Sequence, residues 1–143
     1  MSIDIGLAQR VQSWIEQDPD PKTKLELTQL LDLAQTDTAA LTELKDAFSA
    51  PLEFGTAGLR GALGAGPNRM NRVTVLQAAS GLAQYLAKEG FQGQKVVIGF
   101  DARYNSDVFA KDTALVMSGA GLEPVVFSHV VPTPVLALSL IHI

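Results

Sequence analysis

The sequence predicts an α/β domain preceded by a helical extension. Three observations carry that reading. Residues 1–53 hold apolar side chains at helical spacing, Lys95–Asp101 is a continuous apolar run rich in β-branched residues, and helices alternate with strands after residue 72. The 143 residues are about one domain's length.

The elements follow in order. Leu7, Val11, Trp14 and Ile15 form one helical stripe. Asp18-Pro19-Asp20-Pro21 breaks it, because each proline biases the residue before it away from the helix. Asp20 then caps a second helix with Pro21 in its first turn, and Leu27, Leu30, Leu31 and Ala34 share a face. Asp37 or Thr38 caps a third, with Leu41, Leu44 and Phe48 turned inward. Between 50 and 72, glycines at 55, 58, 61, 64 and 66 exclude a helix or a long strand. A helix over 73–88 starts at Asn71 or Thr74, presents Leu76, Ala79, Ala83 and Leu86, and ends at Gly90. Lys95–Asp101 reads as a strand buried on both faces in a parallel sheet. A helix over 106–119 and a strand over 123–127 complete the pattern.

Composition removes several function classes. The net charge is −4, the wrong sign for a protein that neutralises nucleic-acid phosphates. There is no cysteine, hence no disulfide, thiolate metal site or cysteine nucleophile, and two histidines leave little for zinc. No apolar run reaches the roughly 18 residues of a membrane span, and the N-terminus lacks a secretory layout, so a soluble, cytoplasmic chain is expected. Charge is uneven. Residues 1–53 carry ten acidic and four basic side chains, and residues 54–143 carry five and seven. Four of the five arginines, Arg60, Arg69, Arg72 and Arg103, lie in the second part, which points to an anion there.

Three stretches could carry chemistry. The glycine-rich segment is neither a Walker A loop nor a dinucleotide fingerprint, since Gly66 is followed by Pro67-Asn68-Arg69. Its glycines still let backbone N–H groups approach an anion, and Arg60 offers a planar charged fork. The competing reading is a surface loop with solvated arginines. Asp101-Ala102-Arg103-Tyr104-Asn105-Ser106-Asp107 follows a predicted parallel strand, where open α/β sheets place ligands. Ser106 or Asn105 can cap the next helix, and plain turn and capping work is the alternative for these residues. Asp101, Asp107 and Asp112 make a poor metal cluster, because two of them fit the first turns of a helix. Ser128-His129 has no acidic orienter nearby and reads as loop rather than nucleophile and base.

Four segments together resemble the opening of an α-D-phosphohexomutase. They are Phe54-Gly55-Thr56-Ala57-Gly58-Leu59-Arg60-Gly61, then Gly66 with Asn68-Arg69-Met70-Asn71, then Gly99-Phe100-Asp101-Ala102-Arg103-Tyr104-Asn105-Ser106, and Val131-Pro132-Thr133-Pro134. The closest branch is the phosphoglucomutase/phosphomannomutase group with a helical N-terminal extension, which includes phosphopentomutase-like members. The resemblance implies residues 1–50 as that extension and residues 51–143 as an incomplete three-layer α/β/α first domain. It implies an isomerase, an intramolecular phosphotransferase that interconverts hexose 1-phosphate and hexose 6-phosphate through a sugar bisphosphate and a phosphoserine. Mg²⁺ and a glucose 1,6-bisphosphate-type activator come with it. By the same resemblance Arg60 is catalytic, and Thr56, Gly58, Arg60 and Arg103 contact a phosphorylated sugar. No nucleic acid or membrane partner is implied.

The departures are as informative. The family's phosphoserine motif, Thr-x-Ser-His-Asn-Pro, and its Asp-x-Asp-x-Asp metal loop do not occur, and Leu138–Ile143 does not read like the expected continuation. A truncated or foreign end is expected there, and the chain by itself is expected to be inactive. The alternative is a non-catalytic module that binds a phosphosugar or another anion. A Rossmann-like nucleotide domain is disfavoured by the missing fingerprint.

Overall fold

A computed structural model describes residues 3–56 and 58–139. The first three helices each start on an aspartate. Asp4 accepts the Leu7 N–H at 3.0 Å and opens α1 (Ile5–Gln17). Asp20 accepts the Lys22 N–H at 2.9 Å and opens α2 (Pro21–Leu33). Asp37 accepts the Ala39 N–H at 2.8 Å and opens α3 (Thr38–Ala47). Each carboxylate satisfies an orphan donor and sits at the positive end of the helix dipole. Asp18, in the break, is buried but satisfied, accepting from the Asp20 N–H at 2.9 Å and the Thr23 hydroxyl at 2.7 Å.

The predicted stripes meet in one core. Leu7, Val11, Leu27, Leu41, Leu44 and Phe48 are buried there, with Trp14, Ile15, Leu30 and Leu31 packed against them. Trp14 meets Phe48 edge-on, ring centroids 6.0 Å apart. The glycine-rich segment begins as a short antiparallel pair, β1 (Phe54–Gly55) with β2 (Gly58–Leu59), in register Phe54↔Leu59 and Gly55↔Gly58.

Residues 61–71 then fold onto the helices. The Asn71 side-chain amide donates to the Gly66 carbonyl at 2.8 Å and the Gly64 carbonyl at 2.9 Å. Asn68 N–H donates to the Ala47 carbonyl at 3.0 Å. Arg69 is buried, and its Nη2 donates to Glu43 at 2.6 Å and Asp46 at 2.7 Å. The Glu43 hydrogen bond, assisted by Asp46, raises the Arg69 pKa against the opposing effect of burial. Of the four arginines in the 54–143 part, Arg69 is therefore committed to an internal ion pair. Residues 64–71 are buried or half-buried rather than a solvated loop, while 61–63 are exposed.

Two compact units divide the chain, Met1–Thr74 and Val75–Ile143. The division falls in the first turn of α4 (Arg72–Lys88). That helix opens on a reciprocal pair: Thr74 N–H donates to Asn71 Oδ1, and Asn71 N–H donates to Thr74 Oγ1, both at 3.0 Å. It closes as expected at Gly90, φ +83°, with the Phe91 N–H on the Leu86 carbonyl and the Gly90 N–H on the Ala87 carbonyl.

The second unit is α/β, as predicted. β3 (Lys95–Ile98) pairs in parallel with β4 (Glu123–Val126) across α5 (Ser106–Gly119), with Lys95 opposite Glu123 and Ile98 opposite Val126. Ala79, Ala83, Met117 and Leu122 form its core. Burial on both faces of the strand is only partly realised. Ile98 is buried and Val96 and Val97 are half-buried, while Val125 is 44% and Val126 37% exposed. Two strands leave the outer rim of a sheet without a neighbour to cover it. β3 also stops at Ile98, so Gly99–Asp101 leaves the sheet. A helix absent from the expectation, α6 (Thr133–Ser139), follows.

Gly66 is where the first unit tolerates least. Its φ is +104°, and an added Cβ would lie 2.9 Å from the Ala47 carbonyl oxygen and 3.2 Å from the Phe48 ring. Gly66→Ala is expected to destabilise this unit by about 2–4 kcal/mol, combining left-handed strain with overpacking against backbone. Urea unfolding followed by Trp14 fluorescence reads this directly, and a midpoint equal to wild type would refute it. Arg69→Met should lose less, about 1–3 kcal/mol, because both carboxylate partners are more than half exposed.

Candidate functional site

The resembling residues fall into two groups. Thr56, Gly58 and Arg60 belong to the β1–β2 hairpin in the first unit. Gly58 sits at φ +94° and pairs with Gly55, with open space where a side chain would project. Thr56 is exposed at the hairpin tip. Arg60 follows β2 directly, and its exposed guanidinium has no hydrogen-bond or ion-pair partner among the described residues. Among the described residues, nothing inside the chain uses its charge.

The second group lies in the second unit, at the carboxyl end of β3. Here the 131–136 segment closes over the strand: the Val131 N–H donates to the Phe100 carbonyl at 2.8 Å. The result is a small cavity of about 150 Å³, lined by Gly99, Asp101, Arg103, Ser106, Thr133 and Leu136 among others. Gly99 permits the closure, because a Cβ there would meet Val131 at 3.0 Å and Leu136 at 3.3 Å. Gly99 heads one of the resembling segments, whereas Leu136 belongs to none. Only the return of the chain after β4 brings them to the wall.

The 101–106 turn is internally bonded. Asp101 Oδ1 accepts the Arg103 backbone N–H at 3.0 Å, and Asp101 Oδ2 accepts Arg103 Nε at 2.8 Å. The Asp101 N–H donates to Ser106 Oγ at 3.2 Å, and the Ser106 N–H donates to the Arg103 carbonyl at 3.1 Å. Asn105 takes the N-cap position at φ +60° without a side-chain cap bond, so Ser106 works on the turn before the helix rather than capping it. The Arg103 backbone N–H holds the Asp101 carboxyl below its usual range, with the Arg103 side chain and Ser106 adding to the effect against desolvation. Asp107 is also lowered, by its Lys111 partner 3.1 Å away one turn along α5.

Other candidates do not assemble. Among the described residues, no three His, Cys, Asp or Glu side chains gather to hold a metal ion. Asp112 is buried midway along α5, not in its first turn. Ser128 Oγ lies 3.2 Å from His129 Nδ1, but both are exposed, and no carboxylate orients the imidazole among the described residues. A larger concavity of about 470 Å³, between α1 and the 48–51 segment and lined by Arg10, Trp14, Phe48 and Pro51, contains none of the resembling motifs. Among the described residues, no helix is long and apolar enough to cross a membrane. The expected irregular end over 138–143 falls mostly at 140–143, outside the described residues.

Comparison with known proteins decides the family. The profile of the phosphoglucomutase/phosphomannomutase alpha/beta/alpha domain I matches residues 51–143. The chain belongs to that family. It is 39% identical over 134 residues to a probable phosphoribomutase of Schizosaccharomyces pombe, covering 92% of this chain and 22% of the relative. It is 53% identical over 72 residues to a probable phosphomannomutase of Haemophilus influenzae, covering 50% and 14%. It is 34% identical over 139 residues to a glucose 1,6-bisphosphate synthase of Mus musculus, covering 92% and 22%. The chain thus spans about a fifth of the length of these relatives. No solved structure matches.

In this phosphoglucomutase/phosphomannomutase domain, the Asp101 turn makes a pH-dependent contribution to stability. Its folded pKa is lowered, so the carboxylate stabilises the fold above its unfolded value of about 3.9 and loses that contribution as pH falls through the folded value. Asp101→Asn should therefore be less stable than wild type at pH 6, and the difference should shrink as pH falls below about 4. Urea midpoints across that range measure it, and a gap that widens on acidification would contradict it.

Proposed function

We propose that the chain is the N-terminal part of a phosphosugar mutase, with residues 1–50 as a helical extension and residues 51–143 as the first domain. The parent reaction is the interconversion of a hexose 1-phosphate and a hexose 6-phosphate through a sugar bisphosphate such as glucose 1,6-bisphosphate, in the cytoplasm. The observation that carries this reading is the family match over 51–143, joined to an arginine on a glycine hairpin that has no partner among the described residues.

The chemistry suits those residues. Phosphoryl transfer depends mainly on positioning and on stabilising charge over the transferring oxygens. A guanidinium not committed to a carboxylate can offer two parallel donors to a phosphoryl group. Arg60 is assigned that role, with Thr56 and Gly58 shaping the hairpin that carries it. Arg103, in the second unit, is assigned a phosphosugar contact of its own. The phosphoserine and Mg²⁺ of such a mutase would come from sequence other than these 143 residues. By itself the chain is assigned binding and not turnover.

A pentose phosphate is the second reading for the substrate. It is favoured by the phosphoribomutase of fission yeast, which aligns with most of this chain. Coupled assays of a mutase-length protein carrying this sequence, with glucose 1-phosphate and with ribose 1-phosphate, separate the two. In whichever assay is active, Arg60→Ala should lower kcat/KM by about 10²–10³-fold, the scale of one lost preorganised donor. Turnover unchanged by that substitution would remove Arg60 from the mechanism. Saturable hexose-phosphate binding with no turnover at all would favour a non-catalytic phosphosugar module.

A further inference from the structure

The cavity at the end of β3 holds an arginine whose orientation is set by a neighbouring acid. Asp101 engages Arg103 through Nε and the backbone N–H, at 2.8 and 3.0 Å. Arg103 Nη1 and Nη2 have no partner among the described residues, and the side chain is 87% exposed. A long side chain that exposed would ordinarily sample many rotamers. Here the Nε contact restricts the guanidinium plane and leaves its outer edge for a ligand. The turn that carries Asp101 is itself held, because the Asp101 N–H donates to Ser106 Oγ. Ser106 lines the same cavity, and its hydroxyl is engaged with the Asp101 turn.

We propose that Asp101 is a positioning residue: it holds Arg103 so that the two terminal amines of the guanidinium receive a phosphoryl group of the sugar phosphate. This rests on the phosphosugar reading above and adds to it a second residue that acts through the arginine. The arrangement balances two opposed effects. The Asp101 charge weakens the field an incoming dianion meets, while its hydrogen bonds remove the ordering cost of the arginine. In the proposal the ordering effect is the larger.

The balance makes the test decisive in sign. Asp101→Asn keeps an oxygen to accept the Arg103 backbone N–H, so the turn survives, but it removes the negative charge and places an amide donor near Nε–H. Binding of inorganic phosphate and of glucose 1-phosphate is titrated by calorimetry on wild type, Asp101→Asn, Arg103→Ala and the double variant, each checked for helicity by circular dichroism. Asp101→Asn should weaken binding of glucose 1-phosphate about three- to tenfold, the scale of immobilising one rotamer-rich side chain. The double variant should bind no more weakly than Arg103→Ala alone, because Asp101 acts only through Arg103. Asp101→Glu, which restores the carboxylate one methylene further out, should recover part of the loss. It also replaces Asp101→Asn as the reporter if the latter loses helicity.

Tighter binding by Asp101→Asn would overturn the proposal, since charge would then outweigh orientation. Additive losses in the double variant would overturn it as well, and so would binding that is indifferent to Arg103→Ala. These outcomes bear on Asp101 and Arg103 alone, and the mutase reading itself stands or falls on turnover in the coupled assays.

Discussion

The first unit depends on how a glycine-rich segment with few apolar side chains of its own is held against three helices. Asn71 and Arg69 supply that hold. The Asn71 amide ties down the Gly64 and Gly66 carbonyls, while its Oδ1 begins α4 by accepting the Thr74 N–H. One buried side chain thus closes the loop and starts the next helix. Arg69 adds a charge-assisted link to Glu43 and Asp46 on α3. Asn71 and the Arg69 guanidinium are buried with partners, and leaving either alone would cost more than its bonds contribute.

That construction has a consequence for the arginines of the body. Arg69 is committed to two carboxylates, and Arg103 is committed at one edge to Asp101. Arg60 has no such commitment among the described residues. The three guanidiniums are chemically identical, and what differs is the company each keeps. A cation with no internal counter-ion on a hairpin without competing side chains is the one suited to meet a mobile anion. A cation held by its Nε is suited to present a fixed edge to one.

The helical extension was legible because its signals are local. Asp20-Pro21 and Asp37 announce helix starts through side chains that reach donors two residues away, and Leu27, Leu41 and Leu44 mark buried faces by their spacing. The α5 boundaries and the end of α4 at Gly90 were equally readable. The two-faced burial expected of β3 was not realised, since burial depends on strands and helices from elsewhere that spacing along Lys95–Asp101 cannot count. The ion pair of Arg69 was not legible for a related reason. Its partners lie 23 and 26 residues earlier, and nothing in the local sequence distinguishes a paired guanidinium from a solvated one.

Sequence by itself determined the starts and stops of the first five helices though not of α6, the parallel α/β character of the second unit and, through four ordered motifs, the family. These follow from contacts within a few residues or from residue types that tolerate few alternatives. Tertiary structure alone decided which arginine is buried, that Asp101 turns its carboxylate onto Arg103, and that Gly99 and Leu136 share a cavity wall. Each of these is a meeting of groups whose geometry arises only when the chain returns on itself. A one-dimensional pattern records which groups are available, and folding selects which of them face each other.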